Sequence, residues 1–296
     1  MNFPTGNLQN NSASVNCGCK INLRLKITGK RPDKLHDLSS CFLFLDHPGD
    51  QLDFSVTERS GIEFSCPGHP ALAGADNLVY RAAELFAARA GITPAWRIRL
   101  QKNVPLAAGL GGGSAGAGGM LALLNSFYPC FSAEELNSLA FSLGADVPFF
   151  LNRRSAWVTG AGEVFETLEN LPPLPEILIV NPGFPVSAKW AYTHMDRELV
   201  SPDDPALQEL FTAGKVVDWQ EFCRNDLAPA LFEKFPLLEM MRKALFELGA
   251  LAVQVSGSGS SLFALFDSGA AECAVKLRSE FAAMENIRIF TGGEEF

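Results

Sequence analysis

Two hydrophobic rhythms alternate along the chain. In KINLRLKITG, Ile21, Leu23, Leu25 and Ile27 fall on one face and Asn22, Arg24 and Lys26 on the other, the period of two expected of a strand with one buried side. LSSCFLFLDHPGD reads as a second strand, and QLDFSVTERSGIEFSCPG as a pair of strands with a turn near Ser60-Gly61. After Asp76 the rhythm changes. NLVYRAAELFAARAG repeats its apolar residues at helical spacing and stops at Gly91. WRIRLQKNVP alternates again and runs straight into PLAAGLGGGSAGAGG (105–119), where a helix opens near Ser114 and continues through MLALLNSF. SAEELNSLAFSLG predicts a further helix, with Ser132 as N-cap, Glu135 completing a capping box and Gly144 as the stop.

The texture shifts beyond residue 165. ENLPPLPE carries three prolines in eight residues and reads as a boundary. A strand (EILIVNPG), a helix (SAKWAYTHM), a weakly patterned helical region over 203–234 and a long helix (PLLEMMRKALFELG) follow. The chain finishes with LAVQVSG, a glycine-serine turn, SLFALFD, the helix GAAECAVKLRSEFAAM and the strand NIRIFTG. That order fits a split βαβ sheet with helices on one face. The expected class is α+β in two domains, 15–165 and 166–296, preceded by residues 1–14 as a frayed polar tail. The tail has neither the basic start nor the apolar core of a signal peptide.

Composition narrows the function classes. The chain has 296 residues, 47% of them hydrophobic and 19% charged, enough to build a core in each of about two domains. No apolar stretch approaches the ~20 residues that span a bilayer, so no membrane partner is expected. A net charge of −9 speaks against a nucleic-acid partner, although a local lysine and helix-start amides can still hold a small anion. Seven cysteines, an odd number without paired spacing, point to free thiols in a reducing cytoplasm. Cys17 and Cys19 share a face in a strand-like run, but His36, His47, His69 and His194 give them no ligand spacing. No metal site made by the protein alone is expected.

The glycine run is the main candidate for chemistry. A Walker A loop requires a lysine after its glycines, and none is present. Gly111, Gly113 and Gly116 match G-x-G-x-x-G, yet a dinucleotide site also needs an acidic residue at the end of the next strand, and Glu134 and Glu135 belong to a helix start. What remains is a strand ending near Asn103, a glycine loop and a helix start, an arrangement whose unpaired first-turn amides can bind phosphate. Gly109 and Gly111–Gly113 leave the backbone room to wrap an anion. Gly116, Gly118 and Gly119 are expected instead to let the helix pack closely.

PLAAGLGGGS (105–114) resembles the phosphate loop of the GHMP small-molecule kinases. KINLRLKITGKRPDKLHDLSS, DNLVYRAA, GADVPFFL (144–151), RNDLAP (224–229) and VSGSGSSLFALF (255–266) resemble other motifs of that family, in order along the chain. The resemblance is greatest to the branch whose acceptor is a cytidine-diphosphate-linked alcohol of the non-mevalonate isoprenoid route. It implies an N-terminal nucleotide-binding domain, a C-terminal ferredoxin-like domain and an active site in the cleft between them. It also implies ATP with Mg²⁺ as cofactors and a small-molecule alcohol as partner; a monomer and a homodimer both stay open. The residues alone leave Asp146 either a turn-stabilising group or a base; the resemblance makes it the catalytic base, with Lys20 beside it. ATP is expected at Asn77, Lys102, Pro105, Leu106, Ala107, Ala108, Gly109, Leu110, Gly111, Gly112, Gly113, Ser114 and Ala115. Substrate is expected at Asn22, His36 and Tyr192, and Mg²⁺ mainly on the ATP phosphates with Ser114 nearby.

The sequence departs from the family at two places. After GLGGGS the family continues with a second serine and then an aspartate or asparagine, where this chain has Ala115 and Gly116. Before His36 it has glycine-tyrosine, where this chain has Lys34-Leu35. These changes keep two other readings open: a GHMP-type kinase with a shifted alcohol acceptor, and a non-catalytic nucleotide-binding relative.

Overall fold

The computed structural model describes residues 11–32, 35–196, 198 and 200–296. The first ten residues of the expected tail, and Lys34, lie outside them. Before the glycine run come β1 (Ser12–Asn16), β2 (Cys19–Lys30), β3 (His36–Leu45), β4 (Gln51–Val56), β5 (Gly61–Ser65), α1 (Leu78–Ala90) and β6 (Ala95–Gln101). The central part holds α2 (Gly112–Phe127), α3 (Ala133–Leu143), α4 (Val147–Asn152), β7 (Ala156–Gly160), β8 (Val164–Thr167), β9 (Glu176–Asn181) and α5 (Ala188–His194). Helices α6 (Pro205–Thr212), α7 (Trp219–Phe222), α8 (Ala228–Lys234) and α9 (Pro236–Glu247) lead to β10 (Ala252–Val255), β11 (Leu262–Phe266), α10 (Ala270–Glu280), β12 (Arg288–Thr291) and β13 (Glu294–Glu295).

The chain forms two compact units that interleave in sequence. The first contains the described residues up to Cys19, Gly49–Val104 and Gly111–Arg154; the second contains Lys20–Pro48, Pro105–Leu110 and Ser155–Phe296. A single cut after residue 165 does not follow this division, because strand pairing overrides chain order: β3 pairs antiparallel with β7, and β7 with β8. The proline-rich ENLPPLPE joins β8 to β9 inside the second unit.

In the first unit the sheet order is β1-β4-β6-β5. The strands expected as a hairpin over 51–65 are separated by β6, which pairs antiparallel with β4 and parallel with β5. Trp96, Ile98 and Leu100 are buried while Arg97 and Arg99 face outward, so β6 sits at the sheet centre with one wet face. Residues 12–14, expected as part of the tail, belong to β1, which pairs with β4 from Ser12 to Asn16. A polar, uncharged segment can form an edge strand when its backbone is paired and one side chain, here Val15, is buried.

Helix α2 is buried all round from Ala115 to Leu124, as expected of a helix at the centre of a unit. A Cβ on Gly116 would lie 2.8 Å from Val79 Cγ2, on Gly118 2.8 Å from Phe150 Cβ, and on Gly119 2.9 Å from Cys17 Sγ. The close-packing role expected of these three glycines is therefore what the neighbours require. The capping box on α3 is formed by Ser132 and Glu135, with Gly144 closing the helix.

In the second unit, β10-β11-β9-β12 run antiparallel, with β13 added at the β12 edge. Numbered by appearance, the four main strands lie in the order 2-3-1-4, the split βαβ arrangement expected from the sequence. The other sheet, β2-β3-β7-β8, carries a surprise. Strand β2 is buried on both faces from Cys19 to Ile27, although its alternation predicts one wet side. The polar face is covered by residues distant in sequence. Arg24 donates to Asp203 at 2.5 and 3.0 Å and to the Phe222 carbonyl at 3.0 Å, and Lys26 lies 3.5 Å from the fully buried Asp226. Asp226 also accepts from the Ile27 amide and from Arg224.

Burial pushes the Asp203 carboxyl up, but hydrogen bonds from Arg24, Ser39 and the Asp204 amide, with the Arg24 charge, hold it below the usual carboxylate range. Such a group stabilises the fold above its unfolded pKa of about 4 and loses that contribution as pH falls through the lower folded value. Asp203→Asn is accordingly expected to lower Tm near neutral pH by about 3–10 °C, the effect of weakening charge-assisted hydrogen bonds worth about 1.5–3 kcal/mol to the nearly buried Arg24. It should also flatten the loss of stability below about pH 4. Thermal melts across the acid limb check both.

Candidate functional site

The loop over 105–110 is fixed through its carbonyls, all within the second unit. The Ala107 oxygen accepts from the Val186 amide at 3.2 Å, Ala108 from the Ser261 amide at 3.1 Å and Leu110 from the Lys20 amide at 3.0 Å. Gly109 accepts from Ser256 Oγ at 2.9 Å. Four consecutive carbonyls are thus tied to one scaffold, with Ala108 and Leu110 buried and Leu106 exposed. The 256–260 turn is what the loop rests on. Gly109 has φ +76°, and a Cβ there would overlap the Ser256 carbonyl oxygen, so both backbone conformation and space demand glycine.

At the start of α2, in the first unit, Gly111 is the N-cap with φ +71° and no side chain caps the helix. The first intrahelical bond runs from the Ala115 amide to the Gly111 oxygen. The amides of Gly112, Gly113 and Ser114 therefore have no intrahelical acceptors and form the positive end of the helix dipole. Gly113 is exposed, with only Leu78 Cδ1 (3.6 Å) near an added Cβ. Gly112 differs: a Cβ there would lie 2.9 Å from Val104 Cγ1 and 3.3 Å from Lys102 Nζ. Ser114 is half-buried, whereas Ala115 is wholly buried. The missing hydroxyl at 115 thus falls at an interior position of α2.

Of the expected nucleotide residues outside the loop, Asn77 is occupied as the N-cap of α1. Its Oδ1 accepts from the Val79 amide at 2.9 Å and its Nδ2 donates to the Leu72 carbonyl at 2.9 Å. Lys102 sits at the α2 start and is paired with Asp50, which the sequence reading passed over. Within HPGD an aspartate looks like an ordinary turn residue; no local signal marks it. Asp146 is the N-cap residue of α4, with φ −80° and ψ −13° and no capping bond from its side chain. Gly144, the stop of α3, accepts from the Val147 amide at 3.1 Å, so two helix ends fix the backbone around a half-buried carboxylate.

Lys20 is buried in the second unit, its Nζ 4.4 Å above the Phe42 ring centre and 2.5 Å from Asn22 Oδ1. Asn22 donates from Nδ2 to Ser40 Oγ at 2.9 Å and from its backbone amide to Ser256 Oγ at 3.2 Å. Asn22, expected at the substrate, is buried, with its Oδ1 at Lys20 and its Nδ2 at Ser40. Asn225 completes this scaffold by donating to the Val255 and Gly257 carbonyls at 2.8 and 2.7 Å.

His36 and Tyr192, expected together, do meet. Their rings stack with centres 5.7 Å apart and an interplanar angle of 23°. They line a cavity of about 640 Å³ with Lys30, Leu35, Leu38 and Lys189 among its walls. Leu35, where the family has tyrosine, is 54% exposed at this cavity.

All seven cysteines are free. Burial, followed by the nearby Asp50 charge, pushes the Cys17 thiol up to about 12, which keeps it protonated. Among the described residues no cluster of His, Cys, Asp or Glu could hold a metal ion, and no helix is long and apolar enough to cross a membrane.

Comparison with known proteins agrees with this geometry. Residues 77–154 match the GHMP kinases N terminal domain and residues 207–283 the GHMP kinases C terminal domain. The 4-diphosphocytidyl-2-C-methyl-D-erythritol kinase of Nitratidesulfovibrio vulgaris (strain DP4) is 37% identical over 266 residues, 87% of this chain and 91% of that protein. The enzyme of the same name from Syntrophotalea carbinolica is 38% identical over 251 residues, 84% of this chain and 88% of that protein. A crystal structure of 4-(cytidine 5'-diphospho)-2C-methyl-D-erythritol kinase superposes with a TM-score of 0.78 at 34% identity, covering 94% of this chain and 98% of that one. A homoserine kinase from Cytophaga hutchinsonii shares the fold, with a TM-score of 0.70 at 18% identity over 97% of this chain and 98% of that one. The chain belongs to the GHMP kinase family.

Proposed function

We propose that this protein transfers the γ-phosphoryl group of ATP to the 2-hydroxyl of 4-diphosphocytidyl-2-C-methyl-D-erythritol, as a cytoplasmic enzyme of the non-mevalonate isoprenoid route. The observation that carries the ATP half is the loop whose four carbonyls are all bound at one side, followed by a helix start with no capping side chain. A polyphosphate fits the unpartnered first-turn amides of Gly112, Gly113 and Ser114. With no protein cluster able to hold a metal among the described residues, Mg²⁺ would ride on the phosphates and water, with Ser114 at hand, and neutralise their charge.

In the transfer, the acceptor oxygen forms its bond to Pγ while the bond from Pγ to the β,γ-bridging oxygen breaks, and ADP leaves. Asp146 takes the proton of the acceptor hydroxyl or orients it. Lys20, held by Asn22 and Phe42, supplies positive charge to the oxygen as it becomes anionic. Phosphoryl transfer depends mainly on such placement and charge neutralisation.

The cytidine half rests on the His36–Tyr192 stack and its cavity, together with the relatives at 37–38% identity. Tyr192 offers an aromatic face to a base, a contact worth about 1–3 kcal/mol where bases stack on side chains. Tyr192→Ala is therefore expected to raise KM for the cytidine substrate about 10-fold, with KM for ATP unchanged within about twofold. Equal rises in both constants would remove Tyr192 from the base site. Leu35 supports a second reading, a related alcohol with a different head group, because an exposed leucine gives apolar contact without stacking. A panel of cytidine- and uridine-linked alcohols discriminates the two: activity confined to the cytidine compound supports the first.

A further inference from the structure

We infer that Asp50 is a positioning residue, whose carboxylate holds the Lys102 ammonium at the first turn of α2 so that bound nucleotide meets a fixed cation. The inference rests on the ATP reading above. Asp50 is completely buried, and its carboxylate is locked in orientation. Oδ1 accepts from the Asn103 and Val104 amides, each at 2.8 Å. Oδ2 is left to face Lys102 and pairs with its Nζ. The Asp50 backbone is held as well, since its carbonyl accepts from the Cys17 amide at 2.8 Å.

The partner of this carboxylate stands in an unusual place. Lys102 Nζ is close enough to the α2 start that a Cβ on Gly112 would lie 3.3 Å from it, and its side chain is only 6% exposed. A buried cation at the positive end of a helix is disfavoured by the dipole and by desolvation. Asp50 offsets both effects by pairing with the ammonium and keeps it in place. When a polyphosphate occupies the same helix start, that cation becomes an attractive partner whose ordering has already been met by the fold. The backbone role of Asp50, securing the strand exit at 103–104, is separable: an asparagine keeps the acceptor oxygen but turns an NH₂ group toward Lys102.

The test is an equilibrium titration with ATP, with kinetics alongside, on wild type, Asp50→Asn, Lys102→Met and the double variant. If Asp50 acts through Lys102, each single change weakens ATP binding about 10-fold, chiefly as a rise in KM for ATP, and the double variant binds no more weakly than Lys102→Met. Lys102→Met removes the cation that Asp50→Asn leaves buried and unpaired, so the double variant is expected to melt above Asp50→Asn. Should Asp50→Asn fail to fold, the double variant matching Lys102→Met still supports the coupling. Wild-type affinity in Asp50→Asn, or losses that add in the double variant, would overturn it. A wild-type protein that binds no ATP would overturn the kinase reading as well.

Discussion

Asp146→Asn is expected to lower kcat by about 10²–10⁴-fold, the usual contribution of a positioned general acid or base. The change removes the negative charge and proton affinity while keeping the size and acceptor oxygen of the side chain. The Asp146 side chain makes no capping bond to α4, and its backbone is already helical, a conformation open to asparagine. Tm should fall by no more than about 2 °C, the scale of a size-conserving substitution at a half-buried side chain, and KM for ATP should stay within about twofold. A variant with near wild-type kcat would show that Asp146 only shapes the turn between α3 and α4. Steady-state kinetics with a parallel thermal melt separate these outcomes.

Gly109→Ala should be almost as damaging, for a different reason. Residue 109 has φ +76°, a left-handed conformation that costs a non-glycine residue about 1–2 kcal/mol. Its Cβ would also meet the Ser256 carbonyl oxygen, with the Ser256 carbonyl carbon 3.0 Å and the Gly259 nitrogen 3.1 Å away. All three are backbone atoms, so no side-chain rotation relieves the overlap. The loop must move off the 256–260 turn and loosen the Ser256 Oγ bond to the Gly109 carbonyl, each lost bond costing about 0.5–1.5 kcal/mol. Catalysis tolerates this poorly, since a displacement of about 1 Å can cost about 10²-fold. The expected result is a kcat/KM lower by about 10²-fold and a destabilisation of about 1.5–3.5 kcal/mol. Gly113→Ala is the control: its added Cβ makes only an ordinary contact with Leu78 Cδ1 at 3.6 Å, and the variant should fold normally. Equal stability in Gly109→Ala and Gly113→Ala would contradict the anchored loop.

These two glycines illustrate how much the sequence alone made legible. That Gly116, Gly118 and Gly119 serve close helix packing followed from the pattern, and their neighbours match; Gly109, expected to leave room for an anion, has its Cβ space taken by the Ser256 backbone instead. The capping box of α3 and the split βαβ order were legible too, because both are written in local spacing. The burial of Lys20, Asn22, Arg24 and Lys26 was not. Their alternation is that of a half-wet strand, and the groups that cover them, among them Asp203, Phe222, Asp226 and Ser256, come from far along the chain. The same limit hid Asp50, whose partners are two backbone amides and a lysine about fifty residues on. The interleaved units were illegible for a related reason: a proline-rich run marks a bend, while the compact division follows which strands pair.

The rings of His36 and Tyr192 stack on each other. Asn22 and Asn77 have their side-chain amides engaged inside the protein, one bonded to Lys20 and Ser40 and the other capping α1. Family resemblance marks positions without distinguishing a group that touches ligand from one that holds its neighbour. Hydrogen-bond partners make that distinction.

The most direct measurement is turnover itself. Purified protein is incubated with Mg-ATP and 4-diphosphocytidyl-2-C-methyl-D-erythritol, and the product is analysed by mass and by phosphorus NMR. The account predicts ADP together with a product heavier by one phosphoryl group, carrying a new monophosphate on the tertiary 2-oxygen. ATP bound tightly with no such product formed would contradict it.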